Sequence, residues 1–387
     1  MKIGILTQSI NNNYGGILQN YALQTVLTRM GHEVETLNWD AYRCDHADES
    51  KGRLAWQVIK TFISKSILRR HRNYPWQQRE YFYRLSANNR AFCKQYIRQS
   101  EWLWGKGQFR DHTIDGHFDA LLVGSDQTWR PQYNRNGMLY RMFLDFTQGL
   151  DIKRIAYAAS FGVDEWEYDE EQTCRCSNLL KNFHAVSVRE QSGVQLCRQY
   201  LHHNQTECVI DPTMLLNPAD YEQLLPRQRQ KSSTGLMMTY ILDNSSEKQY
   251  AIHNIVEKKH LKVVKFAPMY CNLGIVTDDT IGNYVSPSVI EWLQAIHDAD
   301  YVICDSFHGT VFSIIFNKPF IAIGNRNRGY SRFLSLLTQF GLEDRLAEPS
   351  NDILSTLDKP FDWPMVNACR QALMKRSLQF LSSALSQ

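Results

Sequence analysis

Short apolar runs alternate with amphipathic stretches along most of this chain. In the first half the runs Lys2–Leu6, Glu33–Leu37, Phe118–Val123, Arg154–Ala159, Ala185–Val188 and Val209–Ile210 read as strands. Buried parallel strands are apolar on both faces and so lose the alternating pattern. Between the first two runs, Ile17–Met30 places Ile17, Leu18, Tyr21, Ala22, Thr25 and Val26 along one side of a helix, and Gly31 stops it. The second half repeats the scheme. Strands are expected at 235–242, 262–266, 301–304 and 320–323, with helices at 245–259, 287–298, 310–316 and 331–340 and a final amphipathic helix within 362–386. Strand–helix alternation on both sides predicts an α/β protein of two Rossmann-like domains with mainly parallel sheets. The polar stretch 217–234 carries Pro218, Pro226 and the run Arg227–Lys231, and sets the boundary: 1–215 for the first domain, 216–387 for the second with the final helix.

Residues of about 41–117 interrupt the alternation with a helical pattern inserted in the first domain. Leu54, Val58, Ile59, Phe62, Ile63 and Ile67 form an apolar side, surrounded by Lys51, Arg53, Lys60, Lys65, Arg69, Arg70 and Arg72. Two readings fit a basic amphipathic helix. It lies on an anionic membrane, or, more commonly, it packs on its own domain with its charges in water.

Polar residues cluster where the predicted strands end, the edge at which open α/β sheets bind ligands. Asp305, Ser306 and Phe307 turn the chain after strand 301–304, and His308-Gly309 opens a helix. Unpaired N–H groups at a helix start favour anions, Gly309 permits close approach, and His308 can carry a proton. Gly15-Gly16 stands at the start of the first helix, without the G-x-G-x-x-G dinucleotide pattern. Gly124-Ser125-Asp126-Gln127-Thr128-Trp129 follows a strand; Ser125 and Asp126 suit a binding or catalytic loop, and Trp129 is either a sugar platform or core. Arg189 at a strand end either holds an anion bidentately or pairs with Glu190. Asp211 is poised toward the same edge, and Arg326 and Arg328 are placed to line the cleft.

Charge and cysteine use narrow the classes. A formal net charge of +3 over 387 residues gives no ground for nucleic acid as a partner. Nine scattered cysteines, with no second pair near Cys174 and Cys176 at metal-ligand spacing, point to reduced thiols rather than a disulfide framework or a zinc site. A first strand beginning at Lys2 and the lack of a long apolar run lead to the expectation of a cytoplasmic protein, with the inner membrane face as a further location if the basic helix binds lipid.

The segments ILTQSINNNYGGILQNYALQ, LLVGSDQTWRP, YAASFG, SVRE, VIDPT and DSFHGTVFSIIFNKPFIAI, in this order and spacing, resemble the polysaccharide pyruvyl transferase family over nearly the whole chain. The resemblance implies two domains facing across a cleft in the GT-B arrangement. It also implies transfer of pyruvate from phosphoenolpyruvate onto two hydroxyls of a sugar, as a cyclic ketal, in exopolysaccharide biosynthesis. The donor is then phosphoenolpyruvate, the acceptor a sugar of a cell-surface polysaccharide or its lipid-linked precursor, and no cofactor or metal is needed. His308 matches the family's His-Gly motif and is expected to be the acid. Arg189 matches an arginine expected to hold the donor, with Asp126 and then Asp305 as acceptor-side base. Many members carry a basic residue two positions before the histidine, where this chain has Ser306. A GT-B glycosyltransferase using a nucleotide sugar, and a non-catalytic glycan-binding or docking protein, are the alternatives.

Overall fold

The computed structural model describes the chain apart from residues 10–12, 40–41, 43–50, 227–234, 244, 268–269, 325–328, 349–352 and 387, and the side chains of 51, 53, 54, 354 and 355. Two all-parallel sheets organise it. The first contains β1 (Lys2–Leu6), β2 (Glu33–Thr36), β3 (Ala120–Val123), β4 (Lys153–Ala159), β5 (Ala185–Val188) and β6 (Glu207–Cys208), in the order β2-β1-β3-β4-β5-β6. The second contains β7 (Leu236–Tyr240), β8 (Lys262–Phe266), β9 (Tyr301–Cys304), β10 (Phe320–Ile323) and β11 (Leu346–Ala347), in the order β11-β10-β9-β7-β8. This is a two-domain α/β fold of the GT-B type. β3 and β10 are buried along their whole length, as continuous apolar runs require. Val209–Ile210, read as strand, lies just past β6; Asp211 and Pro212 turn the backbone there into a short 3-10 helix, Pro212–Leu215.

Each sheet has one place where the strand order reverses, and crossovers on either side of that place leave a crevice at the strand C-termini. In the first sheet it falls between β1 and β3, in the second between β7 and β9. The loops leaving these strands carry most of the chemistry predicted from sequence.

A common core holds the two halves together. Tyr14, at the start of the helix Tyr14–Arg29, stacks on Trp292 of the second half at 5.5 Å between ring centroids. Its hydroxyl donates to the Pro287 carbonyl at 2.9 Å. The final helix, Trp363–Ser386, grouped by sequence with the second domain, touches both halves: Cys369 Sγ donates to the Gln339 carbonyl of the second at 2.9 Å, and its C-terminal part lies on the first. Lys153 Nζ donates to the Leu385 carbonyl at 2.8 Å, Ser377 Oγ accepts the Ile210 amide at 3.1 Å, and Phe380 packs on Tyr157. The reason is burial: Phe380, Leu381 and Leu385 share one apolar core with Ile155 and Tyr157 of the first sheet.

The helical insertion is present as Lys51–Ser66, Pro75–Leu85, Ala87–Tyr96 and Lys106–Asp115. No described helix is long and apolar enough to cross a membrane.

Candidate functional site

Arg189 is the centre of a buried cluster at the C-terminal edge of the first sheet. Its side chain is 1% exposed and is held by three carboxylates. Nε donates to Glu190 at 3.0 Å, Nη1 to Asp211 at 2.9 Å and Nη2 to Asp126 at 3.3 Å. Ser125 Oγ donates to the same Asp211 oxygen at 2.9 Å. The other Asp211 oxygen accepts the amide and the hydroxyl of Thr213. Glu190 also accepts from Ser160 at 2.6 Å. Burial disfavours each of these charges, and the mutual attraction overcomes that penalty. Burial alone would raise the Asp126 carboxyl, but Arg189, His308 and Arg332 hold it below the ordinary carboxylate range. Asp211 behaves likewise, with His308 and then Arg189 driving it well below that range. Burial would pull the Arg189 guanidinium down, and Glu190, Asp126 and Asp211 push it above its ordinary value.

The second half closes the cluster from the opposite side. β9 ends at Cys304, and the helix Phe307–Ile315 begins after Ser306, whose hydroxyl accepts the Gly309 amide at 3.4 Å as the cap. The Phe307 ring lies against Arg189, 4.3 Å from guanidinium carbon to ring centroid. His308 is 6% exposed, and its Nε2 stands 3.4 Å from Asp211 Oδ2, at ion-pair distance. That nitrogen has no hydrogen-bond partner among the described residues. A buried imidazole nitrogen left open beside a carboxylate and an arginine is an arrangement that ligand sites produce and cores avoid. Cys304 behind it is no rival nucleophile, because burial pushes its thiol up to about 12.

Two glycines make this approach feasible. A Cβ on Gly15 would fall 2.0 Å from His308 Nδ1, so only glycine lets the imidazole lie on the start of the first helix. Gly16 gives up its amide to Asn13 Oδ1 at 3.0 Å, so it is not a free anion donor. Asn13 in turn donates through Nδ2 to Asp126 at 2.6 Å. Asp126 has φ = +73°, a left-handed conformation uncommon outside glycine, which turns its carboxylate into the cluster. On Gly309 an added Cβ would come within 3.0 Å of Cys304, so small size there keeps the helix against β9.

Other residues singled out in the sequence are placed elsewhere. Trp129 is fully buried, stacked on Phe143 at 4.8 Å, with its indole N–H donated to the Met142 carbonyl. It presents no face to a sugar. Asp305 accepts the Leu242 and Asp243 amides and pairs with the buried Lys248 at 2.7 Å. That carboxylate fixes the corner between β7 and β9. Arg326 and Arg328 lie outside the described residues. Asp211, read from sequence as poised toward this edge, joins the site, and three residues join it without having been chosen: Asn13, Glu190 and Arg332. Asn13 had a signal, as an Asn directly before a helix start is a preferred cap. Arg332, on the helix Tyr330–Phe340, had none. Burial and then the Arg189 charge pull its guanidinium down to about 10, and Glu190 and Asp126 oppose them.

Comparison with known proteins agrees with this architecture. UDP-GlcNAc 2-epimerase from Neisseria meningitidis bound to UDP-GlcNAc superposes with a TM-score of 0.54 at 8% identity, covering 100% of this chain and 99% of that one. The UDP-GlcNAc 2-epimerase from Methanocaldococcus jannaschii gives 0.53 at 11% identity, covering 99% and 100%. Arabidopsis thaliana UGT89C1 complexed with UDP-L-rhamnose gives 0.50 at 8% identity, covering 96% and 94%. At such identities the likeness is one of fold. No curated protein matches the chain. The model of the family described as polysaccharide pyruvyl transferase matches residues 13–327, from the Asn13 cap through both switch points and past His308, and the chain belongs to that family.

Proposed function

We propose that this protein transfers pyruvate from phosphoenolpyruvate to a pair of hydroxyls on a sugar of a cell-surface polysaccharide or its lipid-linked precursor. Membership of a transferase family supports the reaction class. The observation that carries the finer reading is His308, buried at a helix start with its Nε2 at ion-pair distance from Asp211, the carboxylate that Arg189 also holds.

The chemistry balances on those residues. Protonated His308 gives its proton to the methylene carbon of the enol phosphate, making a methyl group and a cation-like carbon. One sugar hydroxyl adds to that carbon and loses its proton. The carbon–oxygen bond to phosphate breaks with its electron pair, and the second hydroxyl closes the ketal; of the two hydroxyl protons, one restores His308 and the other leaves on the phosphate. Asp211 faces the imidazole across 3.4 Å and orients the ring. Arg189 is committed to Asp126, Glu190 and Asp211, so its main task is to keep those carboxylates ionised and in place. The anionic donor then meets Arg332, the edge of Arg189 and the charged imidazole. Asp126 remains the acceptor-side carboxylate, and its lowered proton affinity suits orienting a hydroxyl better than abstracting its proton.

One observation favours a second reading. Ser306 occupies the position of a basic residue common in the family and serves as a helix cap, which removes one cation from the donor side. A nucleotide sugar as donor, with glycosyl transfer as the reaction, would need less charge there. The experiment is a donor comparison on the purified chain. With phosphoenolpyruvate and a panel of oligosaccharide acceptors, inorganic phosphate should be released only when acceptor is present, and a ketal methyl resonance should appear on the sugar. Binding and turnover of UDP-sugars with no response to phosphoenolpyruvate would replace the first reading by the second.

A further inference from the structure

The apolar side of the helix Lys51–Ser66 points outward. Trp56 is 61% exposed, Phe62 56%, Ile67 69% and Leu68 57%. Most side chains of this size in the chain fill the core, and their burial is the main favourable term in folding. Here Trp56, Ile63 and Leu68 line one groove with Ile275, all of them exposed, and Phe62 and Ile67 are exposed close by in the chain. The patch is held in place. Buried Asn73 donates its backbone amide to the Gly274 carbonyl at 2.7 Å and its side-chain amide to the Leu273 and Val276 carbonyls. Tyr74 stacks on Trp76 at 4.5 Å, and the Trp76 ring is open to solvent.

The charge around the patch is one-sided. Residues 51–79 hold Lys51, Arg53, Lys60, Lys65, Arg69, Arg70, Arg72 and Arg79 and no Asp or Glu, a formal +8. The whole chain carries +3, so the remainder is −5. Lys60, Arg69 and Arg70 are exposed beside the apolar residues. A rim of cations about apolar and aromatic side chains matches the polar–apolar boundary of a bilayer with acidic headgroups: the cations meet the lipid phosphates and the tryptophan and aliphatic side chains enter the acyl edge. A two-fold contact with a second copy would set this uncompensated charge against itself.

We infer that residues 51–76 form a docking face for the surface of an anionic lipid membrane. The inference stands apart from the transfer reaction, and its test involves no turnover. Flotation is compared on vesicles of phosphatidylcholine alone and of phosphatidylcholine with phosphatidylglycerol. The chain should bind the acidic vesicles at least about tenfold more tightly, and the difference should shrink as salt rises. Trp56→Glu with Phe62→Glu should abolish flotation and leave thermal stability unchanged, because both side chains are in solvent. Lys60→Glu with Arg70→Glu should reduce it strongly and remove the lipid preference. No flotation on acidic vesicles at low salt overturns the proposal, as does equal binding by the variants. A dimer in solution that the Trp56/Phe62 variant dissociates also overturns it, by assigning the face to a second copy.

Discussion

Asp126 and Asp305 occupy corresponding places. Each follows the strand beside its sheet's reversal of order, β3 in one half and β9 in the other. Their surroundings differ. Asp126 sits at φ = +73° among Arg189, Asn13 and His308, ionised by charges from both halves. Asp305 is pinned by Lys248 and two amides of its own half. A carboxylate at a crevice is therefore a candidate only until its partners are known. One switch point has spent its carboxylate on holding a corner, and it delivers an imidazole instead. The other delivers a charged network to meet it.

The comparison breaks most decisively at His308. His308→Gln retains hydrogen bonding but cannot give a proton, so turnover should fall about a hundredfold to ten-thousandfold with little change in thermal stability. A folded Gln variant with near-normal turnover would remove His308 from the chemistry. Gly15→Ala should follow. The added methyl displaces the imidazole, and a misplacement of about 1 Å costs on the order of a hundredfold in turnover. Unchanged turnover in a folded Gly15→Ala protein would show that the His308 position is not critical. Arg189→Ala should act chiefly on folding. It leaves Asp126, Glu190 and Asp211 buried without their cation, and breaking a buried pair in this way costs about 3–5 kcal/mol. Denaturant unfolding checks it; a loss below about 1 kcal/mol would mean that the carboxylates are paired elsewhere. Asp305→Asn should destabilise the chain while each folded molecule retains its turnover, and a selective loss of rate would return Asp305 to the site.

The smallest signal is the slope of the acid limb of stability. Asp211 has a folded value below its unfolded one of about 3.9, so it contributes stability that is fully present above about pH 4 and lost as pH falls toward the folded value. Asp211→Asn should lower stability near neutrality and make the remaining decline below pH 4 shallower. Parallel acid limbs for the two proteins would show that Asp211 is not held low.

Much of this was legible because parallel strands announce themselves as apolar runs and because strand ends carry the polar residues. That pattern singled out His308, Arg189, Asp126 and Ser125, which the structure brings together. The misreadings share a cause. Trp129 as platform or core depends on Phe143, and Asp305 as base or anchor depends on Lys248, 57 residues away; no local pattern encodes either partner. The final helix has an apolar stripe that fits either sheet, and only the space left over the first decides between them. Asn13 and Gly15 stand beside a helix start, but Asn13 finds Asp126 only across the first sheet, and Gly15 meets His308 only when the halves pack together.

The return of the helix Trp363–Ser386 to the first sheet has a consequence for synthesis. Lys153 and Leu385 are 232 positions apart. A nascent chain completes its first sheet long before that helix exists, and at ordinary elongation rates the wait is on the order of ten seconds. Throughout it the apolar surface around Ile155 and Tyr157 is without its cover, and the chain is in its most aggregation-prone condition. The first half therefore completes its packing only after the second half has been translated, because the helix that covers Ile155 and Tyr157 follows all eleven described strands in the chain.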